Sequence, residues 1–171
     1  YAYQRIDTIA DHLHFVGLSN VRKGLGSAQE DAAGGGHAHC GTMIYLGDGL
    51  PDAYRNTLFT NNIHGRRINN DILKRKGSGY VASHGSDLMR SNDPWFMGVT
   101  LAYGPAGEIY VSDWSDTGEC HSVRNTQRET GRIYRLTHGK HNLPPVDLTK
   151  CTNTELVELQ FSRNEWLSRQ A

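Results

Sequence analysis

The sequence predicts an all-β fold of antiparallel meanders, on three observations. Glycine is abundant at 19 of 171 residues and hydrophobic residues make up a modest 37%, a composition that suits short strands and tight turns better than a helical bundle. Apolar runs come in pairs that bracket Gly- and Pro-containing turns. Helical patterning is largely confined to the C-terminal end.

The first meander opens with Thr42-Met43-Ile44-Tyr45-Leu46, an apolar run closed by Gly47-Asp48-Gly49. After a loop over residues 50–56, residues 57–63 alternate apolar and polar side chains up to His64-Gly65, the period of a strand. Residues 67–73 continue as a third strand that leads into the basic turn Lys74-Arg75-Lys76-Gly77. The pattern recurs with strands over 98–103 and 108–113 around the turn Gly104-Pro105-Ala106-Gly107, and a third over 131–136. The interval between the strands at Met43 and Val99 exceeds the ~40–50 residues of common β-repeats, and a loop insertion over residues 77–94 accounts for the excess. Residues 1–17 belong to an earlier unit of the same kind, and the Gly/Ser/Gln-rich stretch 23–36 is a surface loop. Pro144-Pro145 ends the β region. Thr152-Asn153-Thr154-Glu155 has the spacing of a capping box, which predicts a helix running from there to Ala171 with Leu156, Leu159, Phe161, Trp166 and Leu167 on an approximate apolar face.

Lys and Arg together number 18, as do Asp and Glu, so no overall basic field draws in nucleic acid or an anionic membrane surface. No apolar run approaches the ~20 residues that span a bilayer. Cys40, Cys120 and Cys151 are too few for a disulfide framework. The chain contains no GxSxG, Walker loop or GxGxxG, so the serine hydrolase, nucleotide hydrolase and Rossmann readings have no support. It opens at Tyr1 with neither an initiator Met nor a hydrophobic leader, as expected of a piece of a larger protein.

Three loops concentrate reactive groups. Gly34-Gly35-Gly36-His37-Ala38-His39-Cys40-Gly41 gathers two imidazoles and a thiol before a strand, and alternation turns His37 and His39 to one side. Either they belong to a metal site completed from elsewhere, or a Gly-rich loop bonds an imidazole to backbone. His64-Gly65-Arg66-Arg67 offers an imidazole and guanidiniums for a carboxylate or quinone-carboxylate ligand; the alternative is a solvated turn whose arginines pair with local carboxylates such as Asp71. The loop from Asp113 through Asp116 and Glu119 to Cys120-His121 packs three carboxylates, a thiol and an imidazole. Its oxygens could hold Ca²⁺, without EF-hand spacing, or cap a turn. Cys120-His121 is not a c-type haem motif, because Thr117 stands where the other cysteine would be.

Taken together, His37-Ala38-His39-Cys40-Gly41, Tyr45-Leu46-Gly47-Asp48, Pro51-Asp52-Ala53-Tyr54-Arg55-Asn56 and His64-Gly65 resemble a blade of the glucose/sorbosone dehydrogenase family. Residues 96–99, 103–113 and 131–136 resemble that family's closing blade. Arg90-Ser91-Asn92-Asp93-Pro94-Trp95-Phe96 and the 113–121 loop are similar to those of a bacterial membrane-bound dehydrogenase group, in which such a propeller precedes helical repeats and a haem-binding CxxCH module. The resemblance covers nearly the whole chain.

It implies about half of a six-bladed β-propeller of four-stranded antiparallel blades over residues 1–146. Residues 147–171 would then be a linker and the first helix of a following helical-repeat domain. It further implies periplasmic or cell-surface location, pyrroloquinoline quinone (PQQ) as cofactor, and haem c in a domain outside this chain. The substrate would be a sugar or sugar-derived molecule, and the partners the remaining blades and the helical and cytochrome domains. By the resemblance His39, His64 and Arg66 lie on loops near the central funnel and bind cofactor, while the general-base histidine belongs to earlier blades. Arg66 stands where sorbosone-type members tend to have a small residue. The isolated chain is then inactive, and the full protein is a quinone-dependent sugar or aldehyde dehydrogenase or a non-catalytic carbohydrate- or protein-binding propeller. A metal-dependent hydrolase using His37, His39, Asp113, Asp116 and His121 is a third reading.

Overall fold

A computed structural model describes residue 35 and residues 38–114, 126–139 and 146–171. Strands β1 (His39–Ile44), β2 (Leu58–Asn62), β3 (Arg67–Lys76) and β4 (Gly79–His84) form one sheet in that order, and β5 (Met89–Arg90) also pairs with β3. Strands β6 (Gly98–Tyr103), β7 (Ile109–Asp113) and β8 (Arg132–Leu136) form a second. Every pairing is antiparallel, as the paired runs around Gly turns predict. The first sheet has the expected four-strand path; the second has three strands among the described residues.

Two expectations are corrected in the first sheet. Lys74-Arg75-Lys76 is not a turn: β3 runs through it, because the first residue that takes a positive φ is Gly77, at +62°, and a two-residue hairpin turn needs one. Residues 77–94 are likewise not a loop insertion. Strand β4 pairs with β3 from Asp71↔His84 to Lys76↔Gly79, and β5 pairs with its start at Arg67↔Arg90 and Ile68↔Met89.

Register sorts the first sheet into two faces. Met43, Phe59 and Ile68 lie on one, and with Tyr45, Phe96, Leu101, Ile109 and Val111 they make the core between the sheets. His39, Thr60, Asn62, Arg67, Asn69 and Asp71 alternate onto the other. Two tyrosines lock the sheets reciprocally. The Tyr45 hydroxyl donates to the Gly107 carbonyl at 2.6 Å and accepts from the Leu50 N–H at 2.8 Å. The Tyr103 hydroxyl donates to the Ile44 carbonyl and accepts from the Leu46 N–H. Burial pushes both phenols above their ordinary pKa, so this contribution holds below about pH 10 and falls as pH rises through the folded values. Gly41 sets how close the sheets come. It sits in a β-bulge at φ +58°, and a Cβ there would lie 2.2 Å from the Val99 carbonyl oxygen.

The capping box forms as predicted: the Thr152 hydroxyl accepts from the Glu155 N–H, and the Glu155 carboxylate accepts from the Thr152 N–H at 2.7 Å. The single long helix does not. Helix α1 (Asn153–Leu159) ends and α2 (Glu165–Gln170) starts anew, because Asn164 caps α2 through the Trp166 N–H and donates to the Pro105 carbonyl at 2.9 Å. The segment also bonds the strand layer through Glu165 N–H to the Leu46 carbonyl and Arg55 to the Arg163 carbonyl. It docks onto the sheets, and Phe161, expected on an apolar face, is 84% exposed. Among the described residues no helix is long and apolar enough to cross a membrane.

Three substitutions test these constraints by chemical denaturation of the full-length protein. Gly41→Ala and Gly77→Ala both place a side chain at positive φ, a strain of about 1–2 kcal/mol, but Gly77 has nothing within 4 Å. Gly41→Ala is expected to cost about 1–3 kcal/mol more through overpacking; equal losses would contradict the close approach of β1 and β6. Asn164→Ala removes a cap and a buried donor, with an expected loss of about 1–2 kcal/mol, and an unchanged midpoint would count against docking of the C-terminal segment.

Candidate functional site

Buried polar residues concentrate at one end of the sheets. Asn61, Asn62, His64, Arg66, Arg67, Asn69 and Asn70 are all under 10% exposed, and burying such groups is costly unless they are hydrogen-bonded. Asn62, Arg67 and Asn69 are bonded through one network, and Asp87 begins it. Its carboxylate accepts from Asn69 Nδ2 at 2.8 Å and Arg67 Nη1 at 3.0 Å, and lies 3.5 Å from His84 Nε2. The Asn69 Oδ1 therefore faces away from Asp87, toward Asn62 Nδ2 at 3.0 Å and His39 Nε2 at 3.1 Å. The Gly65 N–H donates to Asn62 Oδ1 at 2.8 Å, which fixes the Asn62 amide as the donor to Asn69 and to the Gly35 carbonyl.

With Asn69 Oδ1 as an acceptor only, His39 must donate from Nε2. The neutral ring then carries its lone pair on Nδ1. The turn between β2 and β3 adds His64, 1% exposed, and Arg66, held at φ +50°, a conformation that non-glycine residues seldom take. Asn61 is fully buried, and both of its amide atoms lack a hydrogen-bond partner among the described residues.

A second polar cluster closes the same end of the other sheet. Asp113 accepts from the Met97 N–H at 2.6 Å and pairs with Arg132, which also binds Asp93. Burial by itself raises the Asp93 pKa, but the Trp95 N–H and the Arg132 guanidinium outweigh it and hold the carboxyl below its ordinary value.

Strand register brings the predicted positions His39, His64, Arg66 and Asp113 to one end. His39 pairs with Asn62 two residues before His64, and Asp113 pairs with Gly98, whose carbonyl lies 3.6 Å from Cys40 Sγ. Asp113 is committed to Met97 and Arg132. His37, Asp116 and His121 lie outside the described residues, and among the described residues no group of three His, Cys, Asp or Glu is arranged to hold a metal. The turn reading that paired an arginine with Asp71 is corrected: Arg67 pairs with Asp87, and Asp71 faces His84 Nδ1 at 3.3 Å. Sequence reasoning missed Asn62, Asn69, His84 and Asp87. The available signal was the doublets Asn61-Asn62 and Asn69-Asn70 inside strands, where Asn is depleted.

The acid side of stability reports on the second cluster. A depressed Asp93 pKa contributes stability above the unfolded value near 4 and loses it as pH falls through the folded value. Arg132→Met is expected to weaken the protein at neutral pH by leaving Asp113 buried without its cation, and to lose less stability than the parent as pH falls through the Asp93 range; an acid limb as steep as the parent's in pH-dependent urea unfolding would refute the assignment.

Residues 3–140 match the model of a family described as a domain of unknown function, DUF7133. No curated protein and no solved structure matches the chain.

Proposed function

We propose that this chain, which belongs to the DUF7133 family, contributes neighbouring blades to a β-propeller of the glucose/sorbosone dehydrogenase type. In this reading the sheet end bearing His39, His64 and Arg66 belongs to a polar funnel that binds PQQ and a sugar or sugar-derived substrate. The observation that carries it is the hydrogen-bonded chain from Asp87 through Asn69 to His39, which holds an imidazole in one tautomer beside a buried guanidinium. A hydrogen-bonded network holds its members rigidly, and rigid placement of an imidazole is what orienting a cofactor requires.

The residue types fit the ligand. PQQ bears carboxylates, and Arg66 and His64 supply buried cationic or donor groups suited to them. The unpartnered Asn61 amide is a further donor and acceptor at this end. When bound, PQQ would supply the two-electron acceptor. The chain's own residues would orient it and keep water from its carboxylates. Electrons would leave through a haem domain outside this chain, which sets the protein in an exported compartment.

The test is PQQ titration of the purified full-length protein, followed by dye reduction with a panel of aldoses. Stoichiometric PQQ binding is expected, weakened ~10-fold or more by Arg66→Met, the effect of losing a charge-assisted carboxylate contact of about 1.5–3 kcal/mol. His39→Ala is expected to weaken PQQ binding as well. Sugar binding without any PQQ binding would overturn the dehydrogenase reading in favour of a carbohydrate-binding propeller.

A further inference from the structure

We infer that the groove between the β5–β6 connection and β8 is a binding site for an uncharged saccharide ring, distinct from the residues assigned to PQQ. It is a cavity of about 400 Å³ lined by Met89, Ser91, Asn92, Asp93, Phe96 and Tyr134, within the size range of small-molecule sites. Its apolar side is a corner: the Phe96 and Tyr134 rings stand 5.8 Å apart at 57°, with Met89 beside them. Arg132 covers part of Tyr134 at 5.2 Å from the ring centroid. A pyranose has a matching shape, with a C–H face for the rings and hydroxyls around its edge.

The polar groups select for hydroxyls. The Tyr134 hydroxyl and the exposed Asn92 amide have no hydrogen-bond partner among the described residues. Asp93 Oδ1 accepts from the Trp95 N–H and Oδ2 from Arg132, which leaves each oxygen a second lone pair. A hydroxyl can both donate to Asp93 and accept from Asn92, whereas a hydrocarbon would desolvate them without return.

Charge does not favour an ionic ligand. Asp93, the carboxylate that lines the groove, is already paired with Arg132, which also holds Asp113. Neither an anion nor a cation therefore meets an unpaired opposite charge among the lining residues.

The probes are methyl α-D-glucopyranoside, methyl α-D-galactopyranoside and methyl α-D-mannopyranoside, with D-glucuronate as the charged comparator. The methyl group blocks the anomeric hydroxyl and so separates binding from oxidation. Saturation-transfer NMR and calorimetry on the full-length protein should show at least one glycoside binding, with transfer strongest to ring C–H protons and glucuronate weaker. Tyr134→Phe keeps the ring and Asn92→Ala changes an exposed side chain, so both variants should fold and weaken that glycoside at least fivefold. Tyr80→Ala, on the exposed β3–β4 ribbon, should leave affinity unchanged. PQQ titration of Tyr134→Phe should match the parent, so the two sites fail separately. The inference is overturned if none of the three glycosides binds, if Tyr134→Phe and Asn92→Ala both leave affinity intact, or if glucuronate binds as tightly as the best glycoside.

Discussion

An ionised carboxylate can only accept, and that property of Asp87 orders the polar end of this protein. Because Asp87 accepts from Asn69, the Asn69 amide has one orientation, and because Asn69 then presents its oxygen, Asn62 and His39 must both donate to it. The same carboxylate holds Arg67 and stands beside His84. It thereby ties β3 to the connection between β4 and β5. Without it, a strand face carrying Asn62, Arg67 and Asn69 under 10% exposed would be a collection of costly buried groups.

The opposite face of the same strands supplies the rigidity that this network exploits. Phe59 and Ile68 enter a core shared with the second sheet, and the hydroxyls of Tyr45 and Tyr103 cross in opposite directions between the sheets. At Gly41 the approach is so close that the β1 backbone lies against the Val99 carbonyl and Thr100 Cα of β6. His39 starts β1 and Asp113 ends β7, so the polar clusters of the two sheets are held at one end by the same packing.

Much of this was legible in the sequence. The three strands of the second sheet and the capping box follow from alternation, Gly turns and a Ser/Thr-to-Glu spacing, which are local signals. His39, His64 and Arg66 stood out because imidazole and guanidinium next to a strand end are chemically conspicuous. The β3–β4 ribbon was hidden because Lys74-Arg75-Lys76 resembles a turn in composition, although long cationic side chains also suit a solvated strand. Asp87 was hidden for a different reason. Its partners Arg67 and Asn69 are 20 and 18 residues away, and only the return of the chain through β4 brings them together. Asn164 reads as an ordinary helix residue until its amide meets Pro105, 59 positions earlier.

The tautomer of His39 tests this account most directly. Long-range ¹H–¹⁵N correlation on the full-length protein with labelled histidine, at a pH where the ring is neutral, should show Nε2 protonated and Nδ1 bearing the lone pair. A ring protonated at Nδ1 would mean that Asn69 does not accept from His39, and would contradict the ordering of this site by Asp87.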